Sequence, residues 1–429
     1  MQYVSTTGRA PATDLRTAVM QGLAPDGGLY LPSSIDAMPP DALDTIATSS
    51  PATAALLVCR RLTGGDLDDD ALRDIVERAI DFPFPLVRLD DRTSVLELFH
   101  GPTLAFKDVG ARFMAHLLDH LRPIRDPLTV LVATSGDTGG AVAHAFLGMP
   151  DTRVVILFPA RGVSDRQARQ FTTLGANAIA VAVNGSFDDC QRLVKRAFAD
   201  VRLRHEVALT SANSVNIGRL LPQVVYYFLA WARHPGLRPP VFSTPCGNFG
   251  NLTAGLIAKR MGLPVHRFIA ATNVNRIVPD FLETGVFTPR PSRRTISNAM
   301  DVGDPSNFAR IMALYDGDAD ALRRDVGGSA HTDDETRACI TDTFARSGYV
   351  LDPHTAVAYL ALRHARAADR DARGIVLATA HPAKFAETVE RAIGQAVPVP
   401  ARLAERLAAD PVVTSIEPRT DELNRILRS

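Results

Sequence analysis

The sequence predicts an α/β protein with two parallel sheets, each covered by helices on both faces, behind a mainly helical N-terminal domain. Three observations predict it. From Thr93 onward, apolar runs rich in valine and isoleucine alternate with helical stretches, the pattern of a sheet buried on both faces. A second series of such runs begins at Val241, and is assigned to a second α/β domain. The residues before Thr93 lack this alternation and show short helical patterns broken by turns.

In chain order, LRTAVMQGL and PATAALLVCRRL are the helical patterns of the N-terminal domain, and PDGGLYLP and MPP are its turns. This domain is expected over residues 1–92. The strands SVLELF, LTVLVAT, RVVILFP, NAIAVAV and EVALT then define a smaller α/β domain, expected over 93–235. A second series, VFSTP, HRFIAATN and GIVLATA, defines a larger one over 236–429, interrupted by a polar, loop-rich stretch from about 289 to 306. At 429 residues and 46% hydrophobic content the chain is long enough for this division.

Composition removes several function classes. Equal totals of 47 acidic and 47 basic side chains leave no net field for nucleic acid or an anionic membrane, so any anion must be gripped locally. Cys59, Cys190, Cys246 and Cys339 are far apart and fit neither a zinc site nor a disulfide framework. No apolar run reaches spanning length and the first residues lack a signal-peptide core, so a cytoplasmic protein is expected.

Among the basic residues, 47 − 4 = 43 are arginines, and the four lysines are Lys107, Lys195, Lys259 and Lys384. Lys107 sits in HGPTLAFKDVGARFMAH. A primary amine forms a Schiff base with a carbonyl at neutral pH and a guanidinium does not, which points to covalent catalysis on pyridoxal phosphate. Three further segments lie where an α/β sheet presents ligands, at strand ends and helix starts. In ATSGDTGG, Ser135, Gly136, Asp137 and Thr138 offer amides and hydroxyls to an amino-acid carboxylate; a plain tight turn before a capped helix is the alternative. In PCGNFGN, Gly247, Asn248, Phe249, Gly250 and Asn251 form neither a Walker loop nor a dinucleotide turn, yet can cradle a phosphate monoester with backbone amides alone. In SANSVNIGR, with a helix starting near Val215, Asn213, Ser214 and Arg219 can converge on an oxyanion; ordinary capping by Asn213 or Ser214 competes with that reading. Thr379 in LATAHPAKF ends a buried strand.

Taken in order, HGPTLAFKD, SGDTGG, NSVNIGRLLPQ, GNFGNLTAG, ISNAMDVGDPSN and TAHPAKF resemble the signature segments of the threonine synthase family, and STTG and GLAPDGGLYLP resemble its leader. The resemblance covers nearly the whole chain and implies the tryptophan synthase β-like fold, fold type II of the pyridoxal-phosphate enzymes. It implies that Lys107 forms the Schiff base, that the amides of Gly247 to Asn251 hold the cofactor phosphate, and that Thr379 faces the pyridine nitrogen. Ser135, Gly136, Asp137 and Thr138 would then meet the substrate carboxylate, with Asp137 also flanking the cofactor ring. Asn213, Ser214 and Arg219 would hold the phosphate of O-phospho-L-homoserine. The implied reaction is γ-elimination of phosphate followed by β-hydration to L-threonine, with Lys107 carrying protons, in a monomer or homodimer without a catalytic metal. Ala111, Gly140 and Thr7 depart from the family pattern; the first two stay small, and the third weakens any expectation for the leader.

Other residues read as structural. Asp108 is expected to cap the helix that follows Lys107, and His100 is as consistent with a hydrogen-bonded core residue as with a proton donor. Arg290, Arg293 and Arg294 read as a solvated loop, and Tyr226, Tyr227, Phe228 and Trp231 as core. His331, His354 and His364 lack metal-ligand spacing. Asp301 to Ser306 is expected to act as a lid. The rival readings are a threonine-synthase-like phospholyase, a serine/threonine dehydratase, which the Asn213–Ser214–Arg219 seat disfavours, and a non-catalytic phosphate-binding protein, disfavoured by Lys107.

Overall fold

In the computed structural model, which describes residues 1–122, 127–234, 238–367, 369 and 372–429, thirteen strands group into one ribbon and two sheets. The ribbon pairs β1 (Tyr3–Ser5) with β2 (Tyr30–Pro32) and lies beside four helices, Leu15–Gln21, Pro40–Thr48, Pro51–Thr63 and Asp69–Ala79. Their caps are written in the sequence: Asp14, Ser50 and Asp68 each accept a hydrogen bond from the backbone three residues on. The larger sheet begins next with β3 (Leu86–Arg88) and β4 (Thr93–Glu97). The chain then leaves for the smaller sheet, β5 (Leu128–Ala133), β6 (Thr152–Pro159), β7 (Ala178–Val183) and β8 (Ala208–Ser211). It returns for β9 (Val241–Pro245), β10 (Arg267–Thr272), β11 (Val326–Ala330) and β12 (Gly374–Ala378), and ends with β13 (Thr414–Ile416) and the helix Thr420–Arg428.

The larger sheet runs β11-β10-β9-β12-β4-β3, parallel except for the β3–β4 pair, and the smaller runs β13-β7-β6-β5-β8, parallel throughout. Every residue of β5, β9 and β12 is buried, as unbroken apolar strands between helix layers require. The helix Val224–Ala232, apolar all round, packs deep in the core with Tyr226, Tyr227 and Phe228 almost fully covered. Among the described residues no helix is long and apolar enough to cross a membrane, and the four cysteines are free and buried.

The sheets cross the continuous boundaries expected from the sequence. β4, read as the first strand of the smaller domain, pairs with β12 of the larger sheet, Thr93 opposite Gly374 and Glu97 opposite Ala378. β13, within the stretch assigned to the larger domain, closes an edge of the smaller sheet against Val181–Val183. A buried apolar strand shows the same pattern whichever neighbour it takes, so periodicity fixed neither pairing. β11 was hidden for another reason: its VGGSA run has one β-branched residue and two glycines. The boundary expected between 235 and 236 lies outside the described residues.

Candidate active site

The loop after β4 delivers Lys107 to the first turn of the helix Lys107–Leu121. It is stitched to the end of β12: the N–H of Leu98 donates to the carbonyl of Ala378, that of Phe106 to Thr379 (2.9 Å), and that of His381 to Leu104 (3.1 Å). Lys107 and Thr379 are thereby held side by side by main chain. Asp108 does not cap its helix. Its carboxylate instead accepts from the backbone and hydroxyl of the preceding Thr103, and holds that loop against the helix. His100 bonds to Glu97 (2.7 Å), itself bonded to Tyr349, which is a structural arrangement. Burial lowers the Lys107 amine to about 8; Asp137 opposes the shift, while Lys384 and Arg219 add to it.

Beyond β5, the Thr134 hydroxyl accepts from the amides of Gly136 and Gly139 and shapes the turn. Gly136 takes φ +150°, and a Cβ there would strike the Gln167 amide at 2.6 Å, so this position needs glycine. Ser135 and Thr138 line a cleft of about 870 Å³ that also receives Lys107, Thr379 and the loop after β9. Gly136 and Asp137 do not. The Asp137 carboxylate is bonded to the Lys384 ammonium (2.6 Å) and the Gln167 amide (2.9 Å), all buried. Burial pushes this carboxyl up, but Lys384 and Lys107 outweigh it and hold it at about 2.

The loop after β9 meets the geometric demand of a phosphate cradle. Among the described residues, the backbone N–H groups of Gly247, Asn248, Phe249, Gly250 and Asn251 have no hydrogen-bond acceptor in the protein, and they open the helix Gly250–Arg260 at its positive end. Phe249 turns the chain with φ +62°. A Cβ on Gly247 would lie 2.4 Å from the Ala299 carbonyl oxygen. The Asn248 side chain donates to the Ser214 hydroxyl (2.6 Å) and accepts from the Ser306 amide (2.6 Å), joining the cradle to two other parts of the site.

After β8, the helix begins at Ile217, two residues later than expected, and its cap is Asn216. Asn213, Ser214 and Arg219 all line the cleft. The Asn213 amide is used up by the backbone of Ala133, donating to its carbonyl (2.7 Å) and accepting from its N–H (3.2 Å), which extends the β5–β8 pairing past the strands. Arg219 keeps the anion-binding potential. It is buried, donates one bond to the Ala212 carbonyl, and leaves its Nε without a partner. Burial lowers its guanidinium to about 10. Arg290 pairs with Asp280 at the surface, and Arg293 and Arg294 are outside the cleft lining, as a solvated loop predicts.

Several participants escaped sequence reasoning. His354 lines the cleft with its Nδ1 against Asp352 (2.6 Å) and its Nε2 accepting from the Ala299 N–H (3.2 Å), so Nδ1 carries the proton. Arg310, fully buried, donates to the carbonyls of Tyr30, Ser214 and Val215 and to Asn307, and so braces the Ser214 loop against the N-terminal domain. Lys384 lies within TAHPAKF, where the rarity of lysine marks it as plainly as it marks Lys107.

Comparison with known proteins decides the family. Residues 85–380 match the model described as pyridoxal-phosphate dependent enzyme, flanked by threonine synthase N terminus over 2–80 and threonine synthase, C-terminal over 355–426. Threonine synthase of Escherichia coli is 46% identical over 91% of this chain and 90% of its own length. The chain belongs to the threonine synthase family. The threonine synthase of Serratia marcescens is 45% identical over 91% of this chain and 90% of its own. The crystal structure of the Escherichia coli threonine synthase superposes with a TM-score of 0.94 over 100% of this chain and 99% of that one at 41% identity, and the PLP-bound threonine synthase of Brucella melitensis with 0.93, over 100% and 99%, at 38%. The cofactor of this threonine synthase family member is pyridoxal 5′-phosphate. The residues present fit it: partner-free amides for its phosphate, a buried amine of lowered basicity for its aldehyde, and a neutral hydroxyl at Thr379 in the same cleft.

Proposed function

We propose that this protein converts O-phospho-L-homoserine and water to L-threonine and inorganic phosphate. One observation carries the reading: the cleft that holds a phosphate cradle for the cofactor also holds a separate buried guanidinium with an uncommitted Nε, Arg219, suited to a second phosphate. When bound, pyridoxal phosphate supplies an aldehyde carbon for an amine and an aromatic sink for electrons released at carbon. The amides of Gly247 to Asn251 hold its phosphate, and Thr379, unable to enforce protonation of the ring nitrogen, keeps that sink mild. Ser135 and Thr138 receive the substrate carboxylate, while Ser214 and Arg219 receive the substrate phosphate. Asn213 serves as the strut that fixes Ser214. Asp137, with its carboxylate engaged elsewhere, acts on Lys107 and on the cofactor's surroundings by charge.

Lys107 then takes the proton from the α-carbon and returns protons as phosphate leaves the γ-carbon and water adds at the β-carbon. A base with a lowered pKa near 8 gives up and accepts protons near neutrality more readily than an ordinary lysine. We further read the protein as three units, a helical N-terminal domain and two sheet domains, working in the cytoplasm as a monomer or homodimer. Purified protein incubated with O-phospho-L-homoserine and pyridoxal phosphate is expected to release threonine and phosphate in equal amounts. A keto acid and ammonia without threonine would replace this reading with that of a phospholyase or dehydratase.

A further inference from the structure

We propose that Lys384 is a positioning residue that occupies the Asp137 carboxylate and so keeps the Lys107 amine free to react. The inference rests on reading Lys107 as the Schiff-base lysine. A carboxylate as buried as Asp137 requires a cation, and two are at hand. Lys384 Nζ stands 2.6 Å from Asp137 Oδ1, and also donates to the carbonyls of Thr103 (3.1 Å) and, more distantly, Leu104 (3.5 Å). Its three protons thus have three acceptors. Those carbonyls belong to the loop that delivers Lys107, and Asp137 opens the helix Asp137–Ala145 beside Ser135 and Thr138. One ammonium therefore ties the end of β12, the Lys107 loop and the substrate turn together.

Remove it and the remaining charges face each other differently. The groups acting on Lys107 are Asp137 from the helix after β5, Lys384 from the turn after β12, and Arg219 from the helix after β8. Asp108, on the same helix as Lys107, is committed to Thr103. His381, beside Lys384, is pushed down to about 4 by burial and by His100 and Lys384, so it supplies no replacement charge. Asp137 retains the Gln167 amide, whose oxygen accepts from Asn298, but these groups are neutral. Among the described residues, the other cation acting on this carboxylate is the Lys107 ammonium, and an amine held in that pair cannot attack an aldehyde. An arginine would not serve equally at 384, because a planar fork cannot direct three donors from one point; this accounts for lysine at a buried position in a chain with 43 arginines and four lysines.

The test measures the titration of Lys107 itself. In cofactor-free full-length protein, the rate at which an amine-reactive acylating reagent labels Lys107 is followed against pH by peptide mass spectrometry, with Lys195 as internal standard; in the loaded protein the visible absorbance is followed against pH. Lys384→Met is expected to raise the Lys107 titration by one unit or more, slowing its labelling at pH 7 about tenfold per unit. Adding Asp137→Asn to that variant is expected to return the titration to the parent value, and Lys384→Arg to restore it in part. An unshifted titration in Lys384→Met, or a shift that Asp137→Asn does not reverse, overturns the proposal. Should Lys384→Met not fold, Asp137→Asn alone must lower the titration, and an unchanged value overturns it equally. A parent protein with no visible band would instead undo the Schiff-base reading, and one that makes no threonine would undo the substrate reading alone.

Discussion

Adding one methyl group at Gly247 tests the phosphate cradle most directly. The Cβ of an alanine would stand 2.4 Å from the Ala299 oxygen and 3.0 Å from the Met300 Cα. A carbon and a carbonyl oxygen in favourable contact lie about 3.3–3.6 Å apart. Either the Gly247–Asn251 loop or the Asn298–Met300 turn must therefore give way by roughly 1 Å, and both obstacles are backbone, which cannot rotate aside. Five amides at one phosphate tolerate such a shift poorly: losing two charge-assisted hydrogen bonds at about 1.4 kcal/mol each lowers affinity on the order of 100-fold. That is about 2.7 kcal/mol in cofactor binding. The assay is a titration of cofactor-free Gly247→Ala with pyridoxal phosphate, followed by the visible band, with thermal unfolding of the same protein to confirm a folded chain. A folded variant that binds the cofactor within threefold of the parent would refute the cradle assigned to these amides.

Arg219→Gln is expected to raise KM for the phosphorylated substrate about 10- to 100-fold, the value of one charged hydrogen bond, while leaving the cofactor spectrum unchanged; an unaltered KM would remove Arg219 from the substrate seat. Lys107→Met should abolish turnover yet stabilise the cofactor-free protein at pH 7. The folded amine titrates near 8 against 10.5 for the unfolded chain, so the unfolded state binds more protons between those values and parental stability rises with pH across that window. Below it the parent carries the full penalty, about 3 kcal/mol before screening and about 2 kcal/mol allowing for partial exposure to the cleft. Urea unfolding should therefore show the variant ahead at pH 7 and level by pH 10.5, and a variant no more stable at pH 7 contradicts the reasoning. Arg310→Met keeps the volume but strands the carbonyls of Tyr30, Ser214 and Val215; a loss of about 3 kcal/mol is expected in the same measurement, and less than about 1 kcal/mol would mean the brace is dispensable.

How much of this could be read from the sequence depended on how local each signal was. The free amides of Gly247–Asn251 and the turn at Gly136 follow from a strand end, small residues and a helix start within a dozen positions, and the structure has that local geometry. The Asn213–Ser214–Arg219 group was legible as a neighbourhood only. That Asn213 would spend its amide on Ala133, 80 residues away, depends on which strands lie side by side. The same blindness put β4 in the wrong sheet. Asp108 misled for a chemical reason: a carboxylate in the first turn of a helix suggests a cap, but the buried backbone N–H and hydroxyl of Thr103 are the donors it takes. Lys384 was within reach, since the argument from rarity that singled out Lys107 applied to it unchanged.

The placement of β13 has a consequence for how the protein is made. The chain is synthesised from its N-terminus, so β7 is complete at Val183, but its outer edge is covered only when Thr414–Ile416 emerge, roughly 230 residues later. At about 5–20 residues per second, that edge waits on the order of 10–50 s with its backbone donors and acceptors unpaired. The smaller sheet thus carries an unpaired edge through much of synthesis, as β4 of the larger sheet does while it waits for β12. Removing the chain from Thr414 onward would leave the smaller sheet so permanently.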